Sequence, residues 1–125
     1  FINSLVYKYI VMANRESFGF NLNGMYEFQL GKYKSGDFYT EHMDCNLLNN
    51  ASQRKLSVTV QLSHSKEYEG GDFDFTKDIP TPDQELIRQK GTVIVFPSFL
   101  YHQVMPVTKG TRYSLVGWYE GNDWI

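Results

Sequence analysis

The chain has 125 residues, of which 42% are hydrophobic and 16% aromatic, and its formal net charge is −2. This length and composition are typical of one globular domain, predicted here over residues 1–125, and they exclude a disordered protein. Charges of both signs are dispersed, which argues against nucleic acid as a partner, and the apolar runs are too short for a membrane-spanning helix.

Cysteine usage indicates a reducing environment. Cys45 is the only cysteine, so intrachain disulfides are excluded and a cytoplasmic location is expected. No secretory signal is visible in the sequence. The chain begins at Phe1 in the middle of a pattern, which predicts that it is a fragment of a longer protein.

An N-terminal helix is predicted from apolar residues at helical spacing between positions 2 and 13. Asn3, Lys8 and Asn14 lie on or near the polar face. We expect this helical support, over about residues 1–16, to pack against the outside of a sheet. The residues of the predicted apolar face are Ile2, Leu5, Val6, Tyr9, Ile10 and Ala13.

Beyond the helix, the sequence changes to short strands that alternate with turn signals, and a β core is predicted over about residues 18–120. Turns are indicated at 34–37, 69–72 and 108–110, and a short helical turn at 83–88. This pattern favours a mainly β, cupin-like jelly roll with the helix packed on one sheet. The predicted strands cover residues 25–33, 38–43, 56–62, 72–75, 92–96, 101–107 and 111–119.

His42 and Asp44 are the leading candidates for a metal site. Residues i and i+2 of a β-strand lie on one face, so a strand here would project the imidazole and the carboxylate together. A mononuclear iron site of the two-histidine, one-carboxylate type needs this pair and a second histidine. Short motifs of this kind also arise by chance, so the pair alone does not distinguish a metal site from a coincidence.

The chain offers two further histidines as the missing ligand. His64 lies among polar residues before the Gly-Gly turn, which is typical of an exposed hairpin. His102 follows a buried strand and the break at 97–98, so it is either a ligand or a core histidine with a satisfied hydrogen bond.

Arg112 indicates what else the site holds. On the last predicted strand, Arg112, Ser114 and Val116 share one face, opposite Tyr113 and Leu115. If the opposite face packs outward, the arginine lies inside the roll and needs a carboxylate, because a buried unpaired charge is costly. A guanidinium binds a carboxylate through two hydrogen bonds, and Ser114 can add a hydroxyl. The carboxylate belongs either to a ligand or to one of the 14 acidic residues of the chain.

The order of these residues resembles that of the iron- and 2-oxoglutarate-dependent dioxygenases. His42-x-Asp44 is followed by His102 and, ten residues later, by Arg112. More narrowly, the chain is similar to the prolyl-4-hydroxylase-like branch that includes the PKHD-type hydroxylases, over about residues 26–119. The segments that carry the similarity are 56–63, 68–73, 91–98 and 102–112.

The resemblance implies a double-stranded β-helix that uses Fe(II) and takes 2-oxoglutarate as cosubstrate. Arg112 would pair with the distal carboxylate of 2-oxoglutarate. Tyr33 matches a tyrosine that hydrogen-bonds the cosubstrate in relatives, although a core aromatic explains it equally well. Gln61 stands where some animal relatives have a second tyrosine. The implied iron ligands are His42, Asp44 and His102.

The family chemistry is oxidative decarboxylation of 2-oxoglutarate with O2, which releases succinate and CO2 and hydroxylates a C–H bond of a second substrate. Halogenating relatives lack the carboxylate ligand, so Asp44 favours hydroxylation. Ascorbate is expected as a reductant, and a peptidyl proline is the expected substrate at the family level. Trp118 is expected to line the cavity or its base. The aromatic residues considered for stacking on a substrate are Phe38, Tyr39, Tyr101 and Tyr119.

Two other functions are compatible with the same triad. One is a cupin-like metal- or ligand-binding module without oxygenase turnover, and the other is a zinc- or manganese-dependent enzyme. Arg112 together with Ser114 favours the oxygenase, because a simple metal-binding roll needs no buried carboxylate clamp. Cys45 adjoins a predicted ligand but is interpreted as a packing residue.

Overall fold

The computed structural model describes residues 2–45, 53–77 and 79–122. A π-helical turn at Asn14–Phe18 and a 3-10 turn at Ser65–Glu67 accompany the regular elements. No helix in these three ranges is long and apolar enough to cross a membrane. The helices are α1 (Ile2–Ala13) and α2 (Gln84–Ile87). The strands are β1 (Leu22–Tyr33), β2 (Tyr39–His42), β3 (Arg54–Gln61), β4 (Tyr68–Gly70), β5 (Phe73–Phe75), β6 (Val93–Pro97), β7 (His102–Val104), β8 (Val107–Gly110) and β9 (Arg112–Gly121).

Helix α1 has the predicted extent, but it buries a narrower face than predicted. Val6 and Ile10, four residues apart and therefore neighbours on one helix face, are 5% and 0% exposed. Leu5 and Tyr9 were expected on the buried face, and they are 46% and 43% exposed. A single row of side chains thus makes the contact with the sheet. The buried partners in this core are Leu56, Val58 and Tyr119.

The larger sheet contains four antiparallel strands in the order β1-β9-β3-β6. Strand β3 lies between β9 and β6, which explains why its side chains are buried on both faces. Leu56 and Val58 belong to the core beneath α1. Ser57 and Thr59 alternate with them and therefore face the interior of the roll.

The smaller sheet has the order β2-β7-β5, and β4 pairs separately with β8. A second core lies between the two sheets, where Phe73 and Val104 of the smaller sheet pack with Phe96 of β6. The prediction of a mainly β fold with an N-terminal helix is confirmed. The predicted helical turn at 83–88 is also confirmed, because the Asp83 carboxylate accepts hydrogen bonds from the backbone at the start of α2.

The end of the chain divides into strands differently from the prediction. One strand over 101–107 and a turn at 108–110 were expected, but β7 ends at Val104 and β8 covers Val107–Gly110. Pro106 lies at the break, since it has no N–H with which to continue a ladder. Residues 46–52 lie outside the described ranges, and β3 begins at Arg54, two residues before the predicted strand over 56–62.

Candidate metal centre

His42, Asp44 and His102 converge at one end of the smaller sheet. Each offers one ligand atom, and the three atoms lie within 4.8 Å of one another. Asp44 Oδ1 is 3.4 Å from His42 Nε2 and 3.5 Å from His102 Nε2. Two imidazole nitrogens and one carboxylate oxygen in such a group can hold a divalent metal ion.

The two histidines are brought together by strand pairing. His42 ends β2, His102 begins β7, and the two residues are direct partners in the antiparallel register. Their ring centroids are 4.2 Å apart. The register of the smaller sheet therefore sets the separation of the two imidazoles.

Asp44 reaches the site by a route that differs from the predicted one. Strand β2 ends at His42, so Asp44 lies beyond the strand and strand alternation does not place its carboxylate. Instead, the backbone N–H groups of Asp44 and Cys45 donate to the carbonyl oxygen of Ser98, at 2.9 and 3.0 Å. This anchor in the β6–β7 connection turns the carboxylate toward the histidines. Cys45 is 1% exposed, consistent with a packing role.

Backbone carbonyls orient both imidazoles. His42 Nδ1 lies 2.8 Å from the carbonyl oxygen of Thr40, and His102 Nδ1 lies 2.9 Å from that of Leu100. A carbonyl only accepts hydrogen bonds, so each Nδ1 carries the proton. In a neutral imidazole the lone pair of Nε2 then faces the centre of the group, as a metal ligand requires, whereas a protonated Nε2 donates to Asp44.

A pair of buried serines supports the carboxylate. Ser57 Oγ donates to Asp44 Oδ2 at 2.5 Å and lies 2.9 Å from Ser98 Oγ. Burial raises the pKa of Asp44, but hydrogen bonds from His42 and Ser57 outweigh it, so the net pKa is below its usual value. Trp118 also helps to lower this pKa, although its Nε1 makes no hydrogen bond of regular geometry within the described residues.

The pKa values of the two histidines are shifted in opposite directions when no metal is bound. Burial lowers the pKa of His42, but its hydrogen bonds to Asp44 and to the Thr40 carbonyl reverse the shift, and the net pKa is raised. Burial also lowers the pKa of His102, and here the attraction of Asp44 does not compensate, so the net pKa stays lowered. The neutral form of the imidazole is therefore favoured more strongly at His102 than at His42.

The triad opens into a cleft of about 490 Å³ between the sheets. Alternate side chains of β9 line one wall, as the predicted face of that strand requires. Tyr39, which stacks on the His42 ring at 3.9 Å between centroids, lies at the opening, and Tyr119 lies in the core beneath α1. The β9 residues that line the cleft are Arg112, Ser114, Val116 and Trp118.

Arg112 is buried in the same cleft, and none of the described residues is a charged partner for it. Its side chain is 4% exposed, and no carboxylate among the described residues forms an ion pair with it. Nη1 is buried and makes no hydrogen bond within the described part of the chain. An uncompensated buried guanidinium is costly, so the position is suited to an anion that enters from outside.

Tyr33 lies beside the guanidinium, and Ser114 lines the same cleft. The Arg112 guanidinium carbon lies 5.5 Å from the centroid of the Tyr33 ring. Burial raises the pKa of Tyr33 despite the opposing effect of Arg112, so its hydroxyl remains protonated and able to donate. A Cβ atom at Gly31 would come within 3.1 Å of Ser114 Oγ, which explains the glycine there.

A second arginine holds the wall behind Arg112. Arg88 Nη1 donates to the Gly70 carbonyl at 2.7 Å and to Asp72 at 2.9 Å, and its guanidinium carbon lies 4.2 Å from the centroid of the Tyr68 ring. The Tyr68 hydroxyl accepts a hydrogen bond from Gln61 Nε2 at 2.8 Å. Gln61 therefore already uses its amide within the protein, in the position where some animal relatives have a tyrosine.

Sequence reasoning missed three polar residues around the triad and correctly set one histidine aside. Ser57 and Ser98 interrupt apolar segments. A serine in an apolar segment is expected to be buried and to need a hydrogen-bond partner, and this was the available signal in the sequence. Arg54 lines the cleft with its guanidinium carbon 4.0 Å from the centroid of the Trp118 ring. His64 is exposed and caps the turn before β4, away from the cleft, as the sequence predicted.

The comparisons with known sequences agree on one family. The model of the 2OG-Fe(II) oxygenase superfamily matches residues 28–120. A PKHD-type hydroxylase of Idiomarina loihiensis is 32% identical over 89 residues, which cover 71% of this chain and 39% of the relative. A PKHD-type hydroxylase of Gloeothece citriformis is 38% identical over 90 residues, which cover 70% and 39%. The chain thus spans about two fifths of the length of these curated relatives.

Solved structures share the fold. A prolyl-4-hydroxylase of Pseudomonas putida superposes with a TM-score of 0.71 at 23% identity, covering 92% of this chain and 63% of that one. A prolyl hydroxylase of Trichoplax adhaerens, in complex with a hypoxia inducible factor peptide fragment, gives 0.72 at 21% identity, with coverage of 95% and 54%. The jelly-roll prediction is therefore confirmed.

Proposed function

Because the chain belongs to the 2OG-Fe(II) oxygenase superfamily, we propose that it is an Fe(II)- and 2-oxoglutarate-dependent dioxygenase that hydroxylates a C–H bond. The single observation that carries this proposal is the guanidinium of Arg112, which is buried in the cleft that also contains the triad and has no ion-pair partner among the described residues. A metal group alone would support many functions. A metal-binding triad beside a buried guanidinium supports the use of a chelating dicarboxylate.

In this proposal His42, Asp44 and His102 hold Fe(II). The donor set of two neutral imidazoles and one carboxylate fits a mononuclear non-haem iron site with open positions. When bound, the iron couples oxidative decarboxylation of 2-oxoglutarate to hydroxylation of the substrate, with release of succinate and CO2. The residues of the chain supply ligation, orientation and a shielded cleft.

Arg112 binds the distal carboxylate of 2-oxoglutarate in the same proposal. The cosubstrate carries a carboxylate at each end, so one end can reach the metal while the other satisfies the buried guanidinium. Tyr33 and Ser114 are proposed to donate hydrogen bonds to that distal carboxylate, because the Tyr33 ring lies beside the Arg112 guanidinium and Ser114 lines the same cleft. Together these groups orient the keto acid, whose distal carboxylate compensates a buried charge that no described carboxylate pairs with.

Arg112 also weighs against the alternatives. A cupin-like binding module without turnover, or a zinc- or manganese-dependent enzyme with the same triad, has no need for a buried cation beside the metal. The superfamily match covers the triad, the cleft and Arg112 within residues 28–120. The oxygenase is therefore the function that we propose.

The substrate is proposed to be a peptide, with proline as the hydroxylated residue. Support comes from the PKHD-type hydroxylases among the sequence relatives and from the peptide complex among the structural ones. Ascorbate is proposed as the reductant that restores Fe(II), and the reducing cytoplasm as the compartment, because the chain has a single, buried cysteine.

Uncoupled turnover tests the reaction class without a known substrate. Purified protein with Fe(II), ascorbate and 2-oxoglutarate is expected to consume O2 and form succinate slowly. Asp44→Ala provides the matched background, and omission of O2 provides a second one. Metal binding without succinate above both backgrounds would favour the binding module instead.

A further inference from the structure

The two oxygens of the Asp44 carboxylate have different partners. Oδ1 faces the histidines, 3.4 and 3.5 Å from their Nε2 atoms. Oδ2 accepts the hydroxyl proton of Ser57 at 2.5 Å. One oxygen thus lies toward the metal position, while the other is engaged by the protein.

The direction of the hydroxyl chain follows from proton counting. Ser57 has a single hydroxyl proton, and a carboxylate that bears no proton can only accept, so this proton goes to Asp44. Ser57 Oγ must then accept from Ser98 Oγ, 2.9 Å away. The result is a chain from Ser98 through Ser57 to Asp44, in which each bond strengthens the next.

Burial and backbone bonding hold the chain in place. Both serines are 0% exposed, so water does not compete for their hydroxyls. Ser57 is paired on both sides, with Phe96 of β6 and Trp118 of β9. The carbonyl of Ser98 also accepts the backbone N–H of Asp44 at 2.9 Å. The same residue therefore fixes both the backbone and, through Ser57, the side chain of Asp44.

We propose that Ser57 and Ser98 are positioning residues that restrict Asp44 to binding the metal through Oδ1 alone. This inference rests on the proposed function. A carboxylate can bind a metal through one oxygen or two. With Oδ2 engaged by Ser57, the second mode would require breaking a buried, charge-assisted hydrogen bond.

The coordination number gives this restriction a function. On a six-coordinate ion, three protein ligands that each bind through one atom would leave three positions open. Those positions accommodate a keto acid bound through two atoms and one further ligand. A carboxylate bound through both oxygens would take one of these positions, so the cosubstrate and the further ligand would compete.

The proposal can be tested with Mn²⁺, which binds without turnover. In difference infrared spectra recorded with and without Mn²⁺, a carboxylate bound through one oxygen shows more widely separated stretching bands than one bound through two. In Ser57→Ala the separation is expected to narrow. The affinity of the Mn²⁺-loaded protein for 2-oxoglutarate, measured by calorimetry, is expected to fall about 10-fold.

Three further variants separate positioning from a general structural effect. Ser57→Thr keeps the hydroxyl and is expected to restore both readouts, and Ser98→Ala is expected to shift them in the direction of Ser57→Ala. Ser63→Ala is the matched control, because Ser63 is 2% exposed and its hydroxyl accepts the Tyr113 N–H away from the triad. It is expected to leave both readouts unchanged.

The outcomes also separate this inference from the proposed function. If the wild-type protein binds Mn²⁺ but Ser57→Ala and Ser98→Ala retain its infrared bands and 2-oxoglutarate affinity, the positioning role is wrong. If Ser57→Ala does not fold, Ser98→Ala decides alone, since Ser57 then keeps its place. A wild-type protein that binds neither Mn²⁺ nor 2-oxoglutarate would instead contradict the proposed function.

Discussion

The guanidinium of Arg112 lies over the ring of Tyr33, with 5.5 Å between its central carbon and the ring centroid. A cation over an aromatic face gains on the order of 1 kcal/mol, which is far less than the cost of burying an unpaired charge. The ring therefore supports the arginine without neutralising it. The guanidinium still requires an anion to neutralise its charge, and this requirement distinguishes the cleft from a simple metal site.

Arg112→Ala is expected to raise the 2-oxoglutarate concentration needed for half-maximal succinate formation. Loss of a charge-assisted pair costs about 1.5–3 kcal/mol, which corresponds to roughly 10- to 150-fold. Mn²⁺ affinity, measured by calorimetry, should remain within about threefold, because Arg112 belongs to the anion site in the proposal. Arg112→Lys keeps the charge but not the planar fork, so it should be intermediate. A collapse of metal binding in Arg112→Ala would refute the assigned role.

His102→Ala is expected to weaken Mn²⁺ binding by at least about 10-fold, because it removes one of three proposed ligands. His64→Ala is the matched control, since His64 is the third histidine of the chain and lies exposed before β4. Asp44→Ala should be the most damaging of the three, as it removes the anionic donor. Equal metal content in His102→Ala and His64→Ala would contradict the triad.

Gly71→Ala is expected to destabilise the fold and to weaken 2-oxoglutarate binding. Gly71 has φ +67°, and a Cβ there would lie 2.9 Å from Val107 Cγ2 and 3.3 Å from Arg112 Cδ. The backbone strain costs about 1–2 kcal/mol, and crowding adds about 1–3 kcal/mol. Urea unfolding of the metal-free protein measures the sum.

Gly91→Ala is the control that separates the cost of backbone strain from the cost of crowding in Gly71→Ala. Gly91 has φ +88°, but a Cβ there would meet nothing within 4 Å. Only the backbone cost of about 1–2 kcal/mol is expected, with no change in 2-oxoglutarate affinity. Equal effects in both glycine variants would mean that Gly71 does not shape the Arg112 pocket.

Tyr119 should make the fold sensitive to alkaline pH. Burial, together with Tyr26 and Tyr7, raises the pKa of Tyr119 from 10.0 to about 12. Its contribution to stability is fully present below pH 10.0 and is lost as the pH rises toward about 12, because the unfolded chain ionises first. Tyr119→Phe should remove this loss, which is on the order of 1 kcal/mol between about pH 9 and about pH 11. Urea unfolding at about pH 9 and about pH 11 measures it, and equal pH dependence in both proteins would contradict the assignment.

The pattern of apolar and polar residues predicted the helices and strands well where the spacing of side chains on one face determines the structure. The extent of α1, the alternation along β3 and the inward face of β9 all follow from side-chain periodicity. The exposed Leu5 and the break at Pro106 did not, since they depend on how an element meets its neighbours. Periodicity gives the direction of a side chain, but the width of a contact depends on tertiary packing.

The site shows the same division. His42, Asp44, His102 and Arg112 were proposed from residue type and order, and the structure brings them into one cleft. The route of Asp44 was not predictable, because its anchor is a carbonyl beyond the end of β6. The hydrogen bond between Ser57 and Ser98 was not predictable either. The two serines are separated by 41 residues and meet only after β3 has packed.

The triad joins parts of the chain that are otherwise held by separate contacts. His42 and His102 belong to the smaller sheet, whereas Asp44 is tied through Ser57 to the larger one. An ion held by all three would act as a cross-link between the layers of the roll. Such an ion has no preformed site in the unfolded chain, so at 100 times its dissociation constant it adds about 2.7 kcal/mol of stability. The melting temperature should therefore rise with free metal concentration and fall on addition of a chelator, which makes metal supply a determinant of the lifetime of the protein.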